Sequence, residues 1–196
     1  FFGGDVARVP VQKGDIMVCL DLSSYMDVED RENASRLESG RNLLKSLVNK
    51  LSGQRIGLCI FAQNAIVQLP LTRDYEQFKL MVSDANTNHF SNQGTNVGGA
   101  LMKAMLSFEK KKAAHSILLI TDGEDHEASL NTIVDSLSLS NIKLLSIAVG
   151  TESGGPILRS DKKSMRLDAA GNIILSKVDL SLVKRLSEQT KGPWFH

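Results

Sequence analysis

The chain has 196 residues, 42% of them hydrophobic and 23% charged, and its 23 basic and 22 acidic side chains leave a net charge of +1. That composition excludes a disordered chain, and so even a charge balance lacks the clustered basic surface that nucleic acid requires. No run approaches the roughly 20 apolar residues of a membrane-spanning helix, and the length suits one domain, 1–196, built on one well-covered sheet.

The first element is the apolar run Ile16–Leu20, short and without alternation, as in a strand covered on both faces. Ser35 with Glu38 fits a capping box, and Leu37, Leu44, Leu47, Val48 and Leu51 continue it as the apolar stripe of a helix that Gly53 stops. Ile56–Phe61 is a second buried strand. "AIVQLPLT", 65–72, follows too closely for a crossover helix, so it returns as an antiparallel edge, where Pro70 is tolerated. Asp74 with Gln77 opens a helix through Val82, and Val97, Leu101, Ala104, Met105 and Phe108 mark a third. Lys110, Lys111 and Lys112 read as its solvated end. Ile117–Ile120 and Leu144–Val149 are further buried strands, with a helix over Ala128–Leu139 between them. Residues 151–178 break the alternation and read as an inserted, exposed and mobile β-hairpin. Leu180, Val183 and Leu186 give a fifth helix, and "PWF" a last strand. The alternation of strand and helix predicts an α/β fold with a mostly parallel sheet. Cys19 and Cys59 lie inside apolar strands, without CxxC spacing, and read as packed small hydrophobes. The start at "FFGG" without Met suggests a domain excised from a longer protein.

Three polar clusters adjoin the sheet: Asp21, Ser23, Ser24 and Tyr25 after the first strand, "NQGTN" at 92–96, and "TDGEDHE" at 121–127. In open α/β sheets, ligands bind beyond the carboxyl ends of the strands, where the strand order reverses. Carboxylates and hydroxyls are hard donors that select Mg²⁺, Mn²⁺ or Ca²⁺ over zinc or copper. Asp21, Ser23, Thr95 and Asp122 are therefore the candidate metal ligands. Taken singly, each cluster is also an ordinary helix cap or turn. Asp27, Glu29, Asp30, Glu124, Asp125 and Glu127 crowd the same end and read as solvated loop charge, or as a field that attracts cations. GxGxxG, GxxxxGK[ST] and GxSxG are absent, and His126 beside the third cluster has no nucleophile and orienting group with it. His89, His115 and His196 lie elsewhere.

"DLSSY", "QGTN" and "ITDGED" together resemble the metal-ion-dependent adhesion site of von Willebrand factor A domains. "KGDIMVCLDLSSYM", "SRLESGRNLLKSLV", "RIGLCIFA", "QLPLTRDYEQFK", "GNIILSKVD" and "KGPWF" are most similar to the bacterial Bat proteins (BatA/BatB type), which are named for aerotolerance. The resemblance implies a Rossmann-like three-layer α/β/α fold with six strands in the order 3-2-1-4-5-6, strand 3 antiparallel. It implies Asp21 and Ser23 as direct ligands of a divalent cation, foremost Mg²⁺, with Thr95 a ligand in some states and Asp122 direct or through water. It also implies a non-catalytic module whose cation binds a partner's carboxylate, at the periplasmic face of the cytoplasmic membrane. The implied partners are other Bat-type proteins and a MoxR-type AAA+ ATPase, with the membrane reached only through flanking segments. The pattern departs at Tyr25, where the family's second serine should stand. A phenol oxygen lies at the far end of a ring, so the site is expected to be weakened, with water in place of the hydroxyl. Two alternatives stand beside this one. One is a metal-assisted phosphate-ester hydrolase, and the other a metal-free scaffold that binds through the 151–178 hairpin.

Overall fold

The computed structural model describes residues 14–31, 34–109, 114–124, 130–157 and 164–196. Among the described residues, five helices flank a central sheet of six strands, the last only two residues long. The strands are β1 (Gly14–Asp21), β2 (Arg55–Phe61), β3 (Ala65–Thr72), β4 (Ala114–Thr121), β5 (Lys143–Ala148) and β6 (Trp194–Phe195). The helices are α1 (Arg36–Val48), α2 (Tyr75–Asp84), α3 (Val97–Leu106), α4 (Leu130–Leu139) and α5 (Leu180–Thr190). The strand order is β6-β5-β4-β1-β2-β3, and every pairing is parallel except β2 with β3. This is the expected Rossmann-like three-layer α/β/α architecture with an antiparallel edge.

The pleat of β1 divides the core in two. Ile16, Val18 and Leu20 face α1 and α2, joining Leu37, Leu44, Val48, Phe78 and Val82. Met17 and Cys19 face the other way, toward Val97, Leu101, Ile133, Leu137 and Leu186 of α3, α4 and α5. A strand buried on both faces needs apolar residues at every position, which is why these strands carry no alternation. Cys19 and Cys59 are register partners on β1 and β2, both buried and both free thiols.

Several local expectations are refined. Ser35 Oγ accepts from Glu38 N–H at 3.1 Å, one arm of the capping box. Helix α1 ends at Val48 with Asn49 as its C-cap, so Gly53, at φ +85°, belongs to the following turn and is not the helix stop. Asp74 caps α2 by accepting from Gln77 N–H at 2.9 Å. Phe108 lies beyond α3 and stacks on His115 at 4.5 Å. The inserted segment does form an antiparallel ribbon, Gly155–Pro156 with Leu175–Ser176, extended by a bridge from Leu167 to Ile173. The lysine run at 110–112, the start of the fourth helix at 128–129, and Asp125, His126 and Glu127 lie outside the described residues. Among the described residues, no helix is long and apolar enough to cross a membrane.

At the N-terminal edge of the sheet, Asp15 accepts from Arg55 Nε at 2.8 Å and from Nη2 at 2.7 Å. The guanidinium holds the Asp15 carboxyl below the usual carboxylate range, against the opposing effect of burial. A lowered folded pKa stabilises the fold above the unfolded value of 3.8 and ceases to do so as pH falls through the folded value. Asp15→Asn is therefore expected to cost about 1–3 kcal/mol near neutral pH. In urea unfolding, the gap between variant and wild type should narrow in acid.

Candidate metal centre

The chain leaves β1 toward β2 on one side and later returns to β4 on the other, so the crevice opens beyond β1 and β4. Each candidate ligand is delivered there by backbone. Asp21 is the last residue of β1, and Leu22 N–H donates to Phe61 O at 2.7 Å, which continues the strand into the loop. Ser23 then precedes the 3-10 turn Ser24–Asp27. Thr95 is brought in because Asn96 N–H donates to Ala62 O at 2.9 Å, while Asn96 Oδ1 caps α3 by accepting from Gly99 N–H at 2.6 Å. Asp122 follows β4, and its carbonyl accepts from Asp179 N–H at 2.9 Å. Gly123 has φ +92°, and a Cβ there would lie 1.7 Å from Asp179 O, so only glycine permits this close approach of the loop to the start of α5.

Asp21, Ser23, Thr95 and Asp122 are all fully buried. Asp21 Oδ1 accepts from Ser23 N–H at 2.8 Å and Oδ2 from the Thr121 hydroxyl at 2.7 Å. Asp122 Oδ1 accepts from Glu124 N–H at 3.2 Å. Ser23 Oγ and Thr95 Oγ1, by contrast, make no hydrogen bond of good geometry, although the Ser23 side chain lies near enough to Asp21 to favour its carboxylate. A buried polar atom without a partner costs about 1–3 kcal/mol, so the two oxygens are acceptors that a cation would satisfy. Tyr25 sits in the 3-10 turn, half-buried. Among the described residues, no three His, Cys, Asp or Glu side chains converge as a metal cluster. The donor set is two carboxylates and two hydroxyls, which suits a hard cation with waters completing its shell.

Two residues of the centre escape a reading of the loops alone. Thr121 orients Asp21, and Arg36, the first residue of α1, reaches across to Asp122. Arg36 Nη1 donates to Asp122 Oδ2 at 3.0 Å, and both side chains are fully buried. Arg36 Nε donates to Asp30 Oδ2 at 3.0 Å. Asp30 is thus not a solvated loop charge but a 2% exposed partner in a buried ion network. Asp27 likewise accepts from the Thr87 hydroxyl at 2.7 Å, whereas Glu29 is exposed. A cation at the first position of a helix opposes the helix dipole. That anomaly in "SRLESGR" is the signal that marks Arg36 as held by carboxylates.

The electrostatics follow from the geometry. Asp30 and Asp122 share the guanidinium of Arg36, and the buried Asp21 carboxyl lies close enough to Asp122 to feel its charge. Burial, and then the neighbouring Asp122 charge, push the Asp21 carboxyl up to about 7. Burial also raises Asp122, partly offset by Arg36. A divalent cation on these donors would balance the charge and engage both unpartnered hydroxyls.

The similarities agree with this fold. Residues 16–124 match the family model described as von Willebrand factor type A domain. Two solved structures are each 30% identical with a TM-score of 0.86 and 93% of this chain covered: an aerotolerance-related membrane protein from Bacteroides fragilis, covered over 90% of its own chain, and BatB from Bacteroides thetaiotaomicron, over 89%. A mussel byssus protein, proximal thread matrix protein 1 with a zinc-occupied adhesion-site motif, shares the fold at 20% identity and a TM-score of 0.59, over 69% of this chain and 38% of its own. An uncharacterised protein of Borreliella burgdorferi is 27% identical over 140 residues, 70% of this chain, which spans 41% of that curated relative's length. The chain belongs to the von Willebrand factor type A domain family, in a form similar to the Bat proteins.

Proposed function

We propose that this domain is a non-catalytic interaction module that binds a partner protein's carboxylate through a divalent cation held by Asp21, Ser23, Thr95 and Asp122. The observation that carries the reading is the pair of buried, unpartnered hydroxyls, Ser23 Oγ and Thr95 Oγ1, at the same end of the sheet as two buried carboxylates. Bound there, a divalent cation would supply the positive charge that attracts an incoming carboxylate. The chain's own residues do the rest. Thr121 and the Ser23 N–H fix the Asp21 carboxylate, and Arg36 and the Glu124 N–H fix that of Asp122. Hard oxygen donors favour Mg²⁺, with Mn²⁺ and Ca²⁺ as alternatives. The zinc-occupied motif of the mussel protein supports a divalent cation as the class. Tyr25 removes one hydroxyl from the family's set, so the affinity is lower than a complete site would give.

The likeness to a Bacteroides aerotolerance-related membrane protein supports a place in the bacterial envelope. There the domain faces the periplasm and works with other Bat-type proteins and a MoxR-type AAA+ ATPase. The test is capture from envelope extracts with the domain as bait. A partner retained in Mg²⁺ and released by EDTA is expected, and Asp21→Asn should abolish its capture. Equal retention in EDTA would favour a second reading, binding through the inserted hairpin without metal. That reading has its own observation: Met165, Leu167, Ile173 and Leu175 on the hairpin are 43%, 56%, 50% and 53% exposed, apolar side chains that a partner would cover.

A further inference from the structure

The hairpin and the oxygen cluster share one side chain. Besides Asp122 and Asp30, Arg36 holds the base of the hairpin: Nη1 donates to Ser176 Oγ at 2.9 Å and Nη2 to the Ser176 carbonyl at 2.9 Å. Asp30 Oδ2 also accepts from Thr151 N–H at 2.9 Å. Thr151 and Ser176 are the two feet of the hairpin, since Gly155 pairs with Ser176 and Val178 N–H donates to Thr151 O at 3.2 Å. The contact is close: a Cβ at Gly155 would lie 2.8 Å from Val28 Cγ1 and 2.9 Å from Glu29 O. Arg36, Asp122 and Ser176 are all buried, so a broken bond in this network is not replaced by water without cost.

We propose that Arg36 is a positioning residue that couples the cation site to the hairpin, so that cation binding and docking of the hairpin base strengthen each other. The proposal rests on the reading of Asp21 and Asp122 as cation ligands. Its physical basis is competition for one carboxylate. With Ser176 taking two of its bonds, the guanidinium gives Asp122 a single N–H, to Oδ2. Oδ1 accepts only from Glu124 N–H, at 3.2 Å, and keeps a lone pair for a cation. Released from Ser176, Arg36 is free to turn its planar fork onto both Asp122 oxygens, where its charge opposes a cation most strongly. Coupling of this kind is reciprocal: the factor by which a docked hairpin raises cation affinity equals the factor by which the cation favours docking. A partner that grips the hairpin therefore changes how firmly the cation is held.

The test combines Mn²⁺ titration by calorimetry with amide hydrogen exchange of segments 151–157 and 174–178. Mn²⁺ is expected to slow exchange at Thr151, Ile157 and Val178. Ser176→Ala leaves all four cation ligands in place yet is expected to weaken Mn²⁺ binding about five- to tenfold. Arg36→Lys keeps the charge but not the fork, and is expected to bind Mn²⁺ more weakly than wild type and to lose the exchange response. Mn²⁺ binding to wild type with unchanged exchange at these amides would overturn the coupling alone, as would Ser176→Ala at wild-type affinity. Absence of Mn²⁺ binding in wild type would overturn both the coupling and the reading beneath it.

Discussion

Arg36→Met is expected to cost about 3–5 kcal/mol of folding stability, because removing one member of a buried ion network leaves the others uncompensated. Asp30 and Asp122 both rely on this guanidinium, at 2.9 Å and 3.0 Å, and neither is solvated. The loss should be largest in EDTA, where nothing else balances the carboxylates, and smaller in excess Mg²⁺. Adding Asp30→Asn to Arg36→Met should recover part of it, since one of the stranded charges is then gone. Urea unfolding of the three proteins with and without Mg²⁺ measures all of this. A cost below about 1 kcal/mol, the range of an exposed pair, would mean that the network is not desolvated as described.

The second large effect concerns pH. The Asp21 carboxyl is pushed up to about 7 from 3.8, first by burial and then by the Asp122 charge. A carboxyl whose folded pKa exceeds its unfolded one favours the fold most below the unfolded value, and that contribution is lost as pH rises through the folded value. The metal-free domain is therefore expected to lose stability between about pH 4 and pH 7. Cation binding requires the deprotonated form, so Mg²⁺ should stabilise little in mild acid and increasingly above neutrality. Asp21→Asn should flatten both curves. In EDTA at alkaline pH it should equal or exceed wild type, because it removes a buried charge. Thermal unfolding across pH, in Mg²⁺ and in EDTA, gives the comparison. A wild type whose stability rises with pH through neutrality in EDTA would contradict the assignment.

The sheet was legible because a strand covered on both faces must be apolar throughout, and Ile16–Leu20, Ile56–Phe61, Ile117–Ile120 and Leu144–Val149 have no other good reading. The edge strand was legible from Pro70 and from the short connection before it. The candidate ligands were legible as hard donors placed just after strands or opening a helix, and the structure brings Asp21, Ser23, Thr95 and Asp122 to one end of the sheet in buried positions. Arg36 and Asp30 were not legible in that way. Arg36 meets Asp122 across 86 residues and Ser176 across 140, and no local pattern reports a burial that a distant hairpin creates. Asp30 lies in an acidic run whose members look alike in sequence, yet Glu29 is exposed while Asp30 is tied to Arg36 and Thr151. The neighbours that decide burial come from elsewhere in the chain.

The claim on which the rest depends is that the Asp21–Asp122 cluster holds a divalent cation. Calorimetric titration of the metal-stripped domain with Mg²⁺ and Mn²⁺ at pH 8 addresses it most directly, with Asp21→Ala as control. Saturable binding of one cation per chain is expected for wild type and none for the variant. No heat with wild type, or the same heat in Asp21→Ala, would contradict it.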